Sequence, residues 1–126
     1  MTKIYNTCTV KDPTQSKFFD ELEKTKKTKK VIVAGCIAQA QPHLFKNDSL
    51  IGVEQLSKIT EAVSETMKGG NVMFLRRSEE ERVNLPSIRK NELIEIIPIN
   101  KGCSGICTYC KTKAARGMLK SFPLRD

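Results

Sequence analysis

Three of the five cysteines in this chain fall within one eight-residue stretch, Cys103-Ser104-Gly105-Ile106-Cys107-Thr108-Tyr109-Cys110, with the spacing C-x3-C-x2-C. Thiolates are the preferred ligands of iron–sulfur centres, and three within one loop supply three corners of a cubane cluster. Gly102 and Gly105 let the backbone wrap closely around such a group. With only three local ligands, one iron is left open for a small molecule. The competing use is structural zinc, which takes four ligands at paired spacings. No second cysteine pair follows here, and the one histidine, His43, is distant in sequence. The spacing therefore favours an open-site iron–sulfur cluster over zinc.

The other two cysteines, Cys8 and Cys36, each end a strand-like run: Lys3-Ile4-Tyr5-Asn6-Thr7-Cys8 and Val31-Ile32-Val33-Ala34-Gly35-Cys36. Open α/β sheets place ligands at the carboxyl ends of their strands, so the two thiols could meet at one crevice. They read equally well as two buried free cysteines of a core.

The elements that would hold these groups alternate in the manner of an open α/β domain. Asp12-Pro13 predicts an N-cap and first helical position, with Phe18 and Leu22 on one helical face. The β-branched run 31–34 predicts a buried parallel strand. An irregular helical turn is expected near Leu44-Phe45 after Pro42, and a third strand over Leu50–Val53. Leu56, Ile59, Val63 and Met67 recur at helical spacing as core positions, with Gly69-Gly70 past the end as the cap. Residues 1–75 thus form one open-sheet unit, the charged and proline-containing stretch 76–91 a linker, and Leu93–Asn100 a further strand running into the cysteine loop.

Composition narrows the class. Hydrophobic residues make up 39% and charged residues 29%, which is a globular rather than a disordered balance. No apolar run approaches the roughly 20 residues of a membrane span. Met1–Asn6 lacks the apolar core of a signal peptide, so the expected compartment is the cytosol. There disulfides are disfavoured, and an odd cysteine count cannot pair fully. The net charge is +8, and Lys101, Lys111, Lys113, Arg116, Lys120 and Arg125 against Asp126 concentrate it around the cysteine loop. Such a surface suits nucleic acid, whose bound counterions are released on contact. The run Lys24, Lys26, Lys27, Lys29, Lys30 is read as a solvated face.

The cysteine loop, with Tyr109 before its last cysteine, resembles the radical S-adenosylmethionine signature. Asn6-Thr7-Cys8-Thr9-Val10 and Ala34-Gly35-Cys36 resemble the amino-terminal cysteine motifs of tRNA methylthiotransferases. Four further stretches are similar to the eukaryotic and archaeal threonylcarbamoyladenosine branch: Val10–Pro13, Gln39–Pro42, Leu85–Asn91 and Lys111–Gly117. The similarity runs from about Ile4 to about Pro123.

That resemblance implies an incomplete Rossmann-like amino-terminal domain over 1–75, the linker 76–91, and the start of a radical S-adenosylmethionine β/α barrel over 92–126. A [4Fe-4S] cluster on Cys103, Cys107 and Cys110 would bind S-adenosylmethionine at its open iron, near Tyr109. Reductive cleavage would yield a radical that takes hydrogen from an adenine carbon. Cys8 and Cys36 would belong to an auxiliary [4Fe-4S] cluster handling sulfur, in a family that uses two clusters. The implied partners are tRNA, met by Lys111, Lys113, Arg116 and Lys120, and an electron donor of the reductase, flavodoxin or ferredoxin type. The family's auxiliary cluster has a third cysteine before the position of Cys8, and its barrel extends past the position of Asp126. One stable cluster is therefore expected on this chain, and by itself it is not expected to complete methylthiolation. A non-catalytic metal- or nucleic-acid-binding fragment and a non-functional remnant are the rival readings.

Overall fold

The apolar run at 31–34 is buried throughout because both faces of its strand are covered. In the computed structural model, which describes residues 1–9, 12–78 and 91–123, strands β1 (Thr2–Thr7), β2 (Lys30–Gly35), β3 (Ser49–Ile51) and β4 (Met73–Phe74) form one parallel sheet. The strand order is sequential, and β1 pairs in register with β2 from Thr2↔Lys30 to Thr7↔Gly35. Val31 and Val33 point to one side, with Leu22, Ile37, Ala38, Phe45 and Leu50. Ile32 and Ala34 point to the other, with Ile51 and Ala62. This is the open, Rossmann-like α/β sheet expected from the sequence. Its strand order does not reverse, so its crevice needs a wall from elsewhere.

Helix α1 spans Asp12–Lys26 and includes Asp12 itself, which the sequence placed just outside as the cap. It brings Leu22, Phe18 and Phe19 onto the first face, where Phe45 stacks on Phe19 at 6.0 Å. Burying a side chain of this size stabilises by roughly 3 kcal/mol. Phe45 follows the expected irregular turn, a 3-10 turn over Pro42–Leu44. Helix α2 (Cys36–Ala40), too short to show a period, went unpredicted, as did β4. The third strand is Ser49–Ile51, shifted from the expected Leu50–Val53.

Helix α3 spans Ile59–Lys68 and ends at Gly69 in the left-handed conformation. Met67 is not a core residue: it is 67% exposed. Ala62 and Thr66 face the sheet instead, and the Thr66 hydroxyl meets Ser49 Oγ at 2.6 Å. Met67 lies one residue, about 100° of helical rotation, past that stripe.

The expected strand Leu93–Asn100 is also corrected. Only Asn100–Lys101 is a strand, β5, antiparallel to β6 (Lys120–Ser121). Leu93, Ile94, Ile96, Ile97 and Ile99 are exposed. A strand needs a partner ladder, and β6 reaches only Asn100 and Lys101, with Phe122 N donating to Ile99 O. Pro98 contributes no N–H. Helix α4 (Lys111–Arg116) follows the cysteine loop and packs on α2. No barrel closes among the described residues. Residues 79–90, most of the expected linker, lie outside them, as do Leu124–Asp126.

The carboxyl ends of β1 and β2 are locked by Gly35 and Thr7. Gly35 has φ 99° and ψ −150°, a region kept for glycine, and an added Cβ would stand 2.6 Å from Thr7 O. Gly35→Ala should therefore lower unfolding free energy by about 1–3 kcal/mol. Urea titration checks this, and a wild-type midpoint for the variant would contradict it.

Candidate functional site

Thr7 is buried, and its hydroxyl donates to Ala34 O at 2.7 Å while accepting from Ile37 N at 3.2 Å. It ties the end of β1 to the end of β2 and to the first turn of α2. Cys8 and Cys36 are the residues that follow those two ends. Both line one cleft of about 450 Å³, together with Asn6, Val53, Glu54, Asn100, Lys101 and Arg116. Cys8 is half-buried. Cys36 is buried and packs with Val53 and Ala115 of α4, an environment that suits a core cysteine as well as a ligand.

The far wall of the cleft comes from the cysteine-loop segment. Glu54 sits at the seam with its side chain only 8% exposed. Its carboxylate accepts from Lys101 Nζ at 3.0 Å and from Ser78 N at 2.6 Å, with Arg77 Nη1 at 4.0 Å. Burial alone would push this carboxyl up. The hydrogen bonds from Lys101 and Ser78, with the charges of Lys101 and Arg77, outweigh burial and hold it below its ordinary value. Gln39 Nε2 and Gln55 Nε2 donate to Leu75 O and Arg76 O, fixing the chain as it leaves β4. Arg77 Nη2 then donates to Ala114 O of α4 at 2.9 Å.

The three loop cysteines lie beside this seam. Cys103 and Cys107 are exposed and Cys110 is half-buried. A Cβ on Gly105 would stand 3.4 Å from Cys103 Sγ and 4.0 Å from Cys107 Sγ, so two sulfurs flank one open position. Cys110 caps α4, its sulfur accepting from Lys113 N at 3.4 Å. Cys103 N donates to Gly117 O, and a Cβ on Gly102 would stand 2.0 Å from Met118 O, so the loop base admits only glycine there. The soft, exposed donor set fits an iron–sulfur cluster. Among the described residues, however, no three Cys, His, Asp or Glu side chains already stand arranged around a metal position. Tyr109 is 85% exposed at the loop tip.

The expected basic residues separate. Lys113, Arg116 and Lys120 line a second, more open groove of about 800 Å³, which shares Glu54, Lys101 and Arg116 with the first. Lys113 Nζ is tied to Gly105 O. Lys111, exposed at the start of α4, does not line the groove. Arg77 also lines it and was missed, because nothing in a charged stretch read as a linker marks one arginine as docked. No helix among the described residues is long and apolar enough to cross a membrane.

Residues 2–53 match the profile of the family described as "Uncharacterized protein family UPF0004". Over 98% of its length the chain is 46% identical to the threonylcarbamoyladenosine tRNA methylthiotransferase of Danio rerio and 47% identical to that of Homo sapiens. It is 36% identical over 95% of its length to a protein of Methanothermobacter thermautotrophicus named as a probable threonylcarbamoyladenosine tRNA methylthiotransferase. The matches cover 24%, 23% and 30% of those relatives. The chain is thus homologous to methylthiotransferases along nearly all its length and spans about a quarter of theirs.

The lowered carboxyl of Glu54 fixes the sign of a pH effect. Its stabilisation is complete above the unfolded-state value, about 4.3, and is lost as pH falls through the lower folded-state value. Glu54→Gln should therefore be less stable than wild type at neutral pH by about 1–3 kcal/mol. The gap should close on acidification below about pH 4. Denaturation across that range checks it; a gap that does not change with pH would contradict it.

Proposed function

We propose that this chain carries the cofactor-loop part of a tRNA-modifying radical S-adenosylmethionine methylthiotransferase acting on threonylcarbamoyladenosine. The observation that carries the reading is the C-x3-C-x2-C loop, whose flanking residues Lys101 and Arg116 line both the Cys8/Cys36 cleft and the basic groove. The homology to proteins of that name supports it.

In this reading Cys103, Cys107 and Cys110 would hold a [4Fe-4S] cluster that works together with S-adenosylmethionine. When bound, that pair supplies one-electron reductive chemistry, fed by a protein electron donor of the reductase, flavodoxin or ferredoxin type. The chain's own contribution is placement. Gly102 fixes the loop base, Gly105 leaves room between two sulfurs, and Tyr109 offers an exposed ring beside the last cysteine. Arg116 and Lys120 meet RNA phosphates along the groove, and Lys111 meets them from the exposed start of α4. Cys8 and Cys36, held by Thr7, supply two ligands toward a sulfur-handling auxiliary cluster. The packing of Cys36 against Val53 and Ala115 favours a second reading, in which Cys36 is structural and the loop carries the only metal on this chain.

Anaerobic reconstitution should load about four irons per chain with brown absorbance. Cys103→Ala should abolish the loading and Cys36→Ala should preserve it. A colourless zinc protein, or iron retained by Cys103→Ala, would contradict the assignment. Binding to tRNA should weaken with salt, and the double variant Arg116→Gln, Lys120→Gln should reduce the log–log slope by roughly 2. Fluorescence anisotropy reads this, and an unchanged slope would remove both residues from the interface.

A further inference from the structure

The Cys8/Cys36 cleft is composite. The ends of β1 and β2 and the start of α2 give one wall, while Pro98, Asn100, Lys101, Arg116 and Phe122 of the cysteine-loop segment give the other. Two kinds of contact hold the walls together, and Arg77 Nη2 also donates to Ala114 O. One is apolar, Ala115 against Cys36 and Val53. The other is polar and centred on Glu54, which joins Lys101 of β5 to Ser78. The apolar contact is non-directional, whereas the polar one fixes a single register. The Glu54 carboxylate is buried and hydrogen-bonded, and its partner Lys101 is only 21% exposed and two residues from Cys103. Removing one partner of such a pair leaves the other buried and uncompensated.

We propose that Glu54 is a positioning residue: through Lys101 it latches the cysteine-loop segment onto the sheet's carboxyl edge and so closes the cleft over Cys8 and Cys36. Its relevance to catalysis rests on the proposed function, but the latch itself is a property of the protein without metal. With the latch intact, Cys36 is shielded and the two cysteine sets keep a fixed relation. With it broken, β5 and the segment that follows it leave the sheet edge and Cys36 opens to solvent.

The test is native N-ethylmaleimide labelling of the reduced chain, with rates at Cys36 and Cys8 read by peptide mass spectrometry against exposed Cys107 as reference. Glu54→Gln and Lys101→Met should each label Cys36 faster by about tenfold, equivalent to about 1.4 kcal/mol of opening. Lys101→Arg, which keeps the cation, should label at the wild-type rate. Lys101→Met leaves the Ser78–Glu54 bond in place, so it reads the latch even if Glu54→Gln does not fold. Wild-type rates in both disrupting variants would overturn the proposal, as would acceleration in Lys101→Arg equal to that in Lys101→Met. Iron loading of the same proteins is a separate readout: its absence from wild type would count against the proposed function and leave the latch standing.

Discussion

One buried hydroxyl sets the geometry on which the candidate site depends. Thr7 bonds Ala34 O and Ile37 N together, so the last residue of β1 is fixed against the last turn of β2 and the first of α2. A buried hydroxyl without partners would be costly, and this one is satisfied both as donor and as acceptor. Gly35 makes the arrangement possible, since only a residue without Cβ can pass so close to Thr7 O. Cys8 and Cys36, 28 positions apart in sequence, reach one cleft because of these two residues.

The second half of the site is held by a different kind of force. The chain leaving β4 is led along the sheet edge by side-chain amides, Gln39 to Leu75 O and Gln55 to Arg76 O. It then reaches the buried Glu54 carboxylate, where backbone, lysine and arginine converge. An apolar wedge would tolerate sliding, whereas a buried carboxylate with directed donors fixes register. The same seam gathers Arg77, Lys101, Lys113, Arg116 and Lys120 along one groove. Lys101 and Arg116 also line the Cys8/Cys36 cleft, so the two cavities share positive charge.

Much of this was legible in the sequence, and the failures have physical causes. The run Val31–Ala34 announced a strand covered on both faces, and Gly69 announced the end of α3. The cysteine spacing marked the loop, and the strand-end positions of Cys8 and Cys36 correctly suggested a shared crevice. Leu56, Ile59 and Val63 do pack on the core, but Met67 was misread because the buried stripe continues through Ala62 and Thr66 and leaves position 67 outside it. The apolar run at 93–99 was misread because strand propensity is not pairing, and β6 is only two residues long. Glu54 carried no local signal, since its partners lie 24 and 47 positions away.

The central proposal is that Cys103, Cys107 and Cys110 form a metal site in the segment that walls the Cys8/Cys36 cleft. Anomalous diffraction at the iron edge, from crystals of the anaerobically reconstituted chain, tests it most directly. The account predicts an iron peak within bonding reach of Cys103, Cys107 and Cys110, with Glu54 and Lys101 still joined beside it. Iron bound elsewhere with the loop sulfurs free, or a loop detached from the sheet edge, would contradict it.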